Sequence, residues 1–238
     1  MAATFPSRAG DPGARTRRAV RSYVAIGDSF TAGAAEASTI EGHAERLWAD
    51  ELAEALRSAA APAEVAYRNL AVPGASGPEV AAGQIEPALQ LSPDLVTVFC
   101  GANDVLLSIR PDIDAYRAAL SEIFGSLRSV FPDAAMVTAT CPDLQFLPFR
   151  PRSSERVRRG MSAVSEATRE LAGGHDVLCL DFATNPQAGK RENFAADGIH
   201  PSDAGSRHTA AAFAEAIDEV LGVEIDRRGL DIDSEEEA

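Results

Sequence analysis

Five short apolar runs, each followed downstream by a longer stretch with helical spacing, leave this chain very few architectures. The runs are Ser22–Asp28 (SYVAIGD), whose apolar stretch stops at Gly27, then Val65–Leu70, Asp94–Cys100 (DLVTVFC), Ala134–Thr140 and Val177–Asp181. Their length and β-branched content predict buried strands. Between them, Leu47, Leu52 and Leu56 share a helical spacing, and helices are expected over Glu79–Leu91 and Ser154–Ala172. Ile113, Tyr116, Leu120, Ile123, Leu127 and Val130 repeat at three and four, and Asp203–Leu221 puts Phe213, Ile217 and Leu221 on one face. Strands alternating with helices predict an α/β fold around a central, mainly parallel five-stranded sheet. At 238 residues, with 45% apolar content, one compact domain is the expectation.

Charge marks the ends. Residues 1–21 carry five Arg and one Asp, and residues 224–238 carry seven acids and two Arg. Both read as polar tails, a flexible arm over 1–21 and an acidic tail over 224–238, around a folded domain at 22–223. The net charge of −14 would be repelled by phosphate backbones and anionic lipid, so nucleic acid is not an expected partner. No stretch approaches the length of a membrane span and the first residues lack an apolar signal segment, so a cytoplasmic protein is expected. Cys100, Cys141 and Cys179 are widely spaced among apolar residues and read as inert thiols, with no disulfide framework. His43, His175 and His208 lack ligand spacing, and neither a metal nor any other cofactor is expected.

Ligands of open parallel sheets sit beyond the carboxyl ends of the strands, near the point where strand order reverses. Polar residues just after strands therefore carry the chemistry: Asp28 and Ser29 after the first, Asn103 and Asp104 after the third, and Asp197 with His200 before the last helix. A serine becomes a nucleophile when a base takes its proton, a carboxylate orients that base, and donors hold the oxyanion. His200 lies in Asp-Gly-Ile-His-Pro (197–201), where Asp197 can reach back to Nδ1 and leave Nε2 for Ser29. The backbone N–H groups of Ser29 and Gly74 and the side-chain amide of Asn103 are the candidate oxyanion donors. Asp28 and Asp104 read as supports that hold backbone turns.

These segments resemble the SGNH hydrolases, also called the GDSL family of esterases and lipases. Gly27-Asp28-Ser29-Phe30-Thr31-Ala32-Gly33 is similar to the family's first motif, with Ser29 as nucleophile, and Asn69-Leu70-Ala71-Val72-Pro73-Gly74-Ala75 to its second, with Gly74 as oxyanion donor. Gly101-Ala102-Asn103-Asp104 resembles the third, making Asn103 the other donor, and Asp197-Gly198-Ile199-His200-Pro201 the last. The resemblance implies a flavodoxin-like three-layer α/β/α fold, hydrolysis of small carboxylic esters or thioesters through an acyl-enzyme, and no metal. Only Lys190 among the 22 basic residues is a lysine, which reads as the coding preference of a GC-rich bacterial genome.

Three other functions compete. An acyltransferase would use the same site, a binding module would keep only the fold, and a metal phosphoesterase on Asp28, Asn103, Asp104, Asp197 and His200 would lack the usual histidine set. For the substrate, Phe146, Leu147 and Phe149 are expected to line or lip an acyl pocket, and a short acyl group is preferred. Arg150, Arg152, Arg156, Arg158 and Arg159, opposed by Glu155, form either a solvated helix face or an anion subsite in which Arg152 and Arg156 would bind a phosphate.

Overall fold

The computed structural model describes residues 18–34, 41–147 and 150–230. Strand β1 (Ser22–Gly27) leads into a single helical turn, α1 (Ser29–Ala32), and then α2 (Trp48–Ala60). Next come β2 (Ala66–Asn69), α3 (Gly77–Gln90), β3 (Leu95–Phe99) and a second short helix, α4 (Ala102–Leu106). Helix α5 (Ile113–Val130), β4 (Ala135–Ala139), α6 (Pro151–Gly174), β5 (Leu178–Leu180) and α7 (Asp203–Leu221) complete the order.

All four pairings are parallel, and the sheet runs β2-β1-β3-β4-β5. This is the doubly wound order in which the chain first moves outward to β2 and then crosses back to β3. The reversal lies between β1 and β3, and their last paired residues are Gly27 and Phe99. Every residue of β3 and β4 is buried, as a parallel strand covered on both faces requires, whereas β2, at one edge, alternates exposed and half-buried. Helices α3, α5 and α6 pack together, and α2 packs with α7, which gives the α/β/α layering.

The helix starts differ from the sequence reading where capping chemistry intervenes. Helix α3 begins at Gly77 because Ser76 and Glu79 form a reciprocal capping box, and α6 begins at Pro151, whose fixed φ suits a first helical position. The folded region also exceeds the expected 22–223. Arg18 N–H donates to Gly222 O at 2.8 Å and Glu224 N–H to Arg18 O at 3.0 Å, and Val20, Ile225 and Leu230 are buried in the core. The inner parts of both assumed tails thus carry apolar side chains that charge counting hides, while 1–17 and 231–238 lie outside the described residues. Among the described residues, no helix is long and apolar enough to cross a membrane.

An aromatic cluster beneath the carboxyl ends of the strands fixes the turn after β1. Phe30 lies 5.3 Å from Phe99 between ring centroids, Trp48 stacks on Phe213 at 4.4 Å, and Trp48 Nε1 donates to Phe30 O at 2.8 Å. Trp48 thereby satisfies its polar handle while anchoring α1 to α2.

Candidate active site

The first polar element is the turn from β1 into α1. Gly27 has φ 149°, and a Cβ there would stand 2.1 Å from Phe99 O, so only glycine permits the close approach of β1 and β3. Its peptide is gripped by Gln84, buried on α3, whose Oε1 accepts from Gly27 N–H and whose Nε2 donates to Gly27 O, both at 2.8 Å. Asp28 caps α1 by accepting from Phe30 N–H at 2.9 Å, and Ser29 follows as the first helical residue, only 7% exposed. From β2, Asn69 donates to Thr31 O at 2.9 Å and accepts from Ala71 N–H at 3.1 Å, tying the second motif to the first.

The third motif closes over this turn. Gly101 adopts φ 124° between Tyr116 and Val164, and α4 then presents Asn103, whose Nδ2 donates to Ala75 O at 3.1 Å and approaches Asp28 Oδ2 at 3.4 Å. Gly74, the residue before Ala75, has φ 81° with open space where a side chain would stand. Ser29, Gly74 and Asn103 are thus drawn to one edge of the sheet. Asp104 accepts from Gly77 N–H at 2.9 Å and so pins the start of α3. Burial pushes the Asp28 carboxyl up to about 7, against the lowering effect of the Phe30 and Gly101 N–H groups, and burial likewise raises Asp104.

On the loop before α7, Asp197 Oδ2 lies 2.6 Å from His200 Nδ1, while Oδ1 accepts from the N–H groups of Ile199 at 2.9 Å and His200 at 3.0 Å. Gly198 supplies the positive φ of 73° that folds this three-residue return. Partial burial raises the Asp197 carboxyl, but the bonds from His200 and the two backbone N–H groups outweigh it and hold the group below its usual range. The carboxylate is therefore ionised and committed to the Nδ1 side of the ring, which leaves Nε2 uncommitted. Among the described residues no hydrogen bond joins Ser29 to His200, as is common in unliganded sites.

A cavity of about 170 Å³ adjoins both loops, walled by Phe30 beside Ser29, by Ile199 and Pro201 beside His200, and by Phe99, Phe182 and Phe194. Neither Ser29 nor His200 forms part of the wall. Phe146 packs against Phe194 at 5.8 Å and beneath the Arg191 guanidinium, and its backbone abuts Gly198, so it backs the Asp197–His200 loop. Leu147 is half-buried against the core, and Phe149 lies outside the described residues.

The expected arginine pair divides. Arg152 is exposed on the first turn of α6, whereas the Arg156 guanidinium donates to the carbonyl oxygens of Val105 and Ser108 at the end of α4. Arg156 therefore braces the helix that carries Asn103, a role that charge counting along the sequence cannot reveal. Arg158 and Arg159 pair with Glu155, at 2.8 Å and 3.6 Å. All three cysteines are free; burial raises Cys100 and Cys141 strongly and pushes Cys179 up to about 12. Among the described residues no group of three or more His, Cys, Asp or Glu side chains is placed to hold a metal ion.

Residues 25–208 match the model of the GDSL-like lipase/acylhydrolase family. The chain belongs to that family. As a GDSL-type protein it is an enzyme that hydrolyses ester bonds. Comparison with curated proteins gives no match. Solved structures with the same fold include a lipase/acylhydrolase from Enterococcus faecalis, 23% identical with TM-score 0.63, covering 83% of this chain and 95% of that one. An alpha/beta hydrolase enzyme from the metagenome of Lake Arreo is 24% identical with TM-score 0.63, covering 82% and 94%. An acetylxylan esterase from Geobacillus stearothermophilus is 21% identical with TM-score 0.63, covering 86% and 96%.

Proposed function

We propose that the enzyme cleaves carboxylic esters through an acyl-enzyme on Ser29. His200 Nε2 takes the Ser29 proton as the hydroxyl oxygen attacks the ester carbonyl, then delivers it to the leaving alkoxide. Water, deprotonated by the same nitrogen, releases the acid and restores Ser29. Asp197 holds the ring in the tautomer with the proton on Nδ1 and balances the imidazolium that forms. The N–H groups of Ser29 and Gly74 and the Asn103 amide receive the oxyanion; Asn103 exchanges its bond to Ala75 O for one to the substrate.

The observation that carries this reading is the 2.6 Å Asp197–His200 contact, with the second Asp197 oxygen fixed by two backbone N–H groups. A carboxylate anchored in that way has one ring orientation to offer. For the acyl half, the cavity of about 170 Å³ beside Phe30 and Ile199, lined also by Asn185, Asn193 and His208, has room for a short chain only.

A fluorophosphonate probe tests the assignment. The label is expected on the peptide bearing Ser29, with the wild-type protein losing ester turnover in step with labelling. Labelling elsewhere, or full turnover after Ser29 is modified, would remove the acyl-enzyme mechanism.

A further inference from the structure

His43 plays no part in the mechanism above, yet it sits against its centre. Its ring meets the His200 ring nearly edge-on, at 5.9 Å between centroids and 68° between planes. Its Nε2 lies 3.4 Å from where a Cβ on Gly33 would stand, and Gly33 ends the helical turn that Ser29 begins. The imidazole thus lies close to both the turn that carries Ser29 and the candidate base.

The backbone around it is fastened to the loop that carries Asp197 and His200. Ala196 N–H donates to Glu41 O at 3.1 Å, Ala44 N–H to Pro201 O at 3.2 Å, Glu45 N–H to Asp203 Oδ1 at 2.9 Å, and Ser206 Oγ to Arg46 O at 2.7 Å. Four hydrogen bonds over six residues make 41–46 a strap, two of them to that loop and two to the start of α7. Both His43 ring nitrogens are shut off from solvent, and neither has a hydrogen-bond partner among the described residues.

We propose that His43 is a positioning residue for His200: the strap presses its ring against the His200 imidazole and keeps Nε2 aimed at Ser29 through turnover. The charged groups that face it are His200 and Asp197 on the loop and Asp203 at the start of α7. Burial first, and then the neighbouring His200, lower its proton affinity, against the opposite pull of the two carboxylates. Protonating His43 as well would set two imidazolium rings against each other and turn His200 out of line.

The inference rests on Ser29 and His200 acting as proposed, so the test begins with enzyme whose Ser29 is shown to take a fluorophosphonate label, and rates are expressed per labelled site. His43→Ala is expected to lower kcat at least 10-fold with KM within about 2-fold of wild type, and His43→Phe to restore kcat to within about 3-fold. The acid limb of log kcat/KM against pH separates positioning from packing. Activity requires both rings to be neutral, so the wild-type limb steepens to a slope of two at low pH, while His43→Phe keeps a slope of one. Equal slopes in the two proteins, or a His43→Ala enzyme with wild-type kcat per labelled site, would overturn the proposal. Failure of the wild type to label would instead strike the mechanism itself.

Discussion

The grip of Gln84 on Gly27 gives the sharpest test of how the turn that carries Ser29 is held. In Gln84→Met the side-chain volume stays close to native, but Gly27 N–H loses the Gln84 oxygen, its one partner among the described residues, in a buried setting, while Gly27 O keeps the bond from Val72 N–H at 3.1 Å. Two neutral hydrogen bonds are lost at about 1 kcal/mol each, and the orphaned N–H adds about 1–3 kcal/mol of desolvation that nothing offsets. With some recovery from the more apolar side chain, the expected destabilisation is about 2–3 kcal/mol, or roughly 4–12 °C in melting temperature for a chain of this size. Urea unfolding of wild type and variant measures it, with an unchanged m-value confirming that the native state alone is affected. Because Gly27 precedes Asp28 and Ser29, kcat should fall together with stability. A variant within about 0.5 kcal/mol of wild type would refute the idea that this buried amide holds the turn.

Two further predictions follow from groups around the site. Asp28 is raised from its ordinary value to about 7, so its contribution to stability is fully present below about pH 4 and is lost as the pH rises through about 7. Asp28→Asn should flatten the fall in melting temperature over that window and lower kcat, since an amide nitrogen would then face Asn103 Nδ2; an unchanged pH–stability profile would contradict it. Arg156→Ala should slow neutral and phosphorylated esters alike, because its guanidinium braces α4; a KM increase confined to the phosphorylated ester would reinstate Arg156 in an anion subsite.

What could be read from sequence was local. Asp197 and His200 are three residues apart around a glycine, so one pentapeptide discloses their pairing, and the five strands announce themselves by composition. Helices α1 and α4, at four and five residues, are too short to show any period, so the sequence sets Ser29 and Asn103 after strands without disclosing the helical turns that present them. Gln84 acts across 57 residues, and Asn69 across 38, distances at which no spacing rule operates. A polar residue among Val80, Ala81, Ile85 and Ala88 on the buried side of α3 was a visible signal for Gln84, since a buried amide must find partners. His43 gave none, because its partner, His200, meets it only through the strap that folding creates.

The central claim is that Ser29 is the nucleophile of an esterase with a short acyl site. Initial rates on p-nitrophenyl esters from acetate to palmitate, for the wild type beside Ser29→Ala, test it most directly. The account predicts rapid hydrolysis of the shortest esters, a decline with chain length, and a loss of roughly 10³-fold or more in the variant. Turnover of any ester that survives Ser29→Ala at the wild-type rate would contradict it.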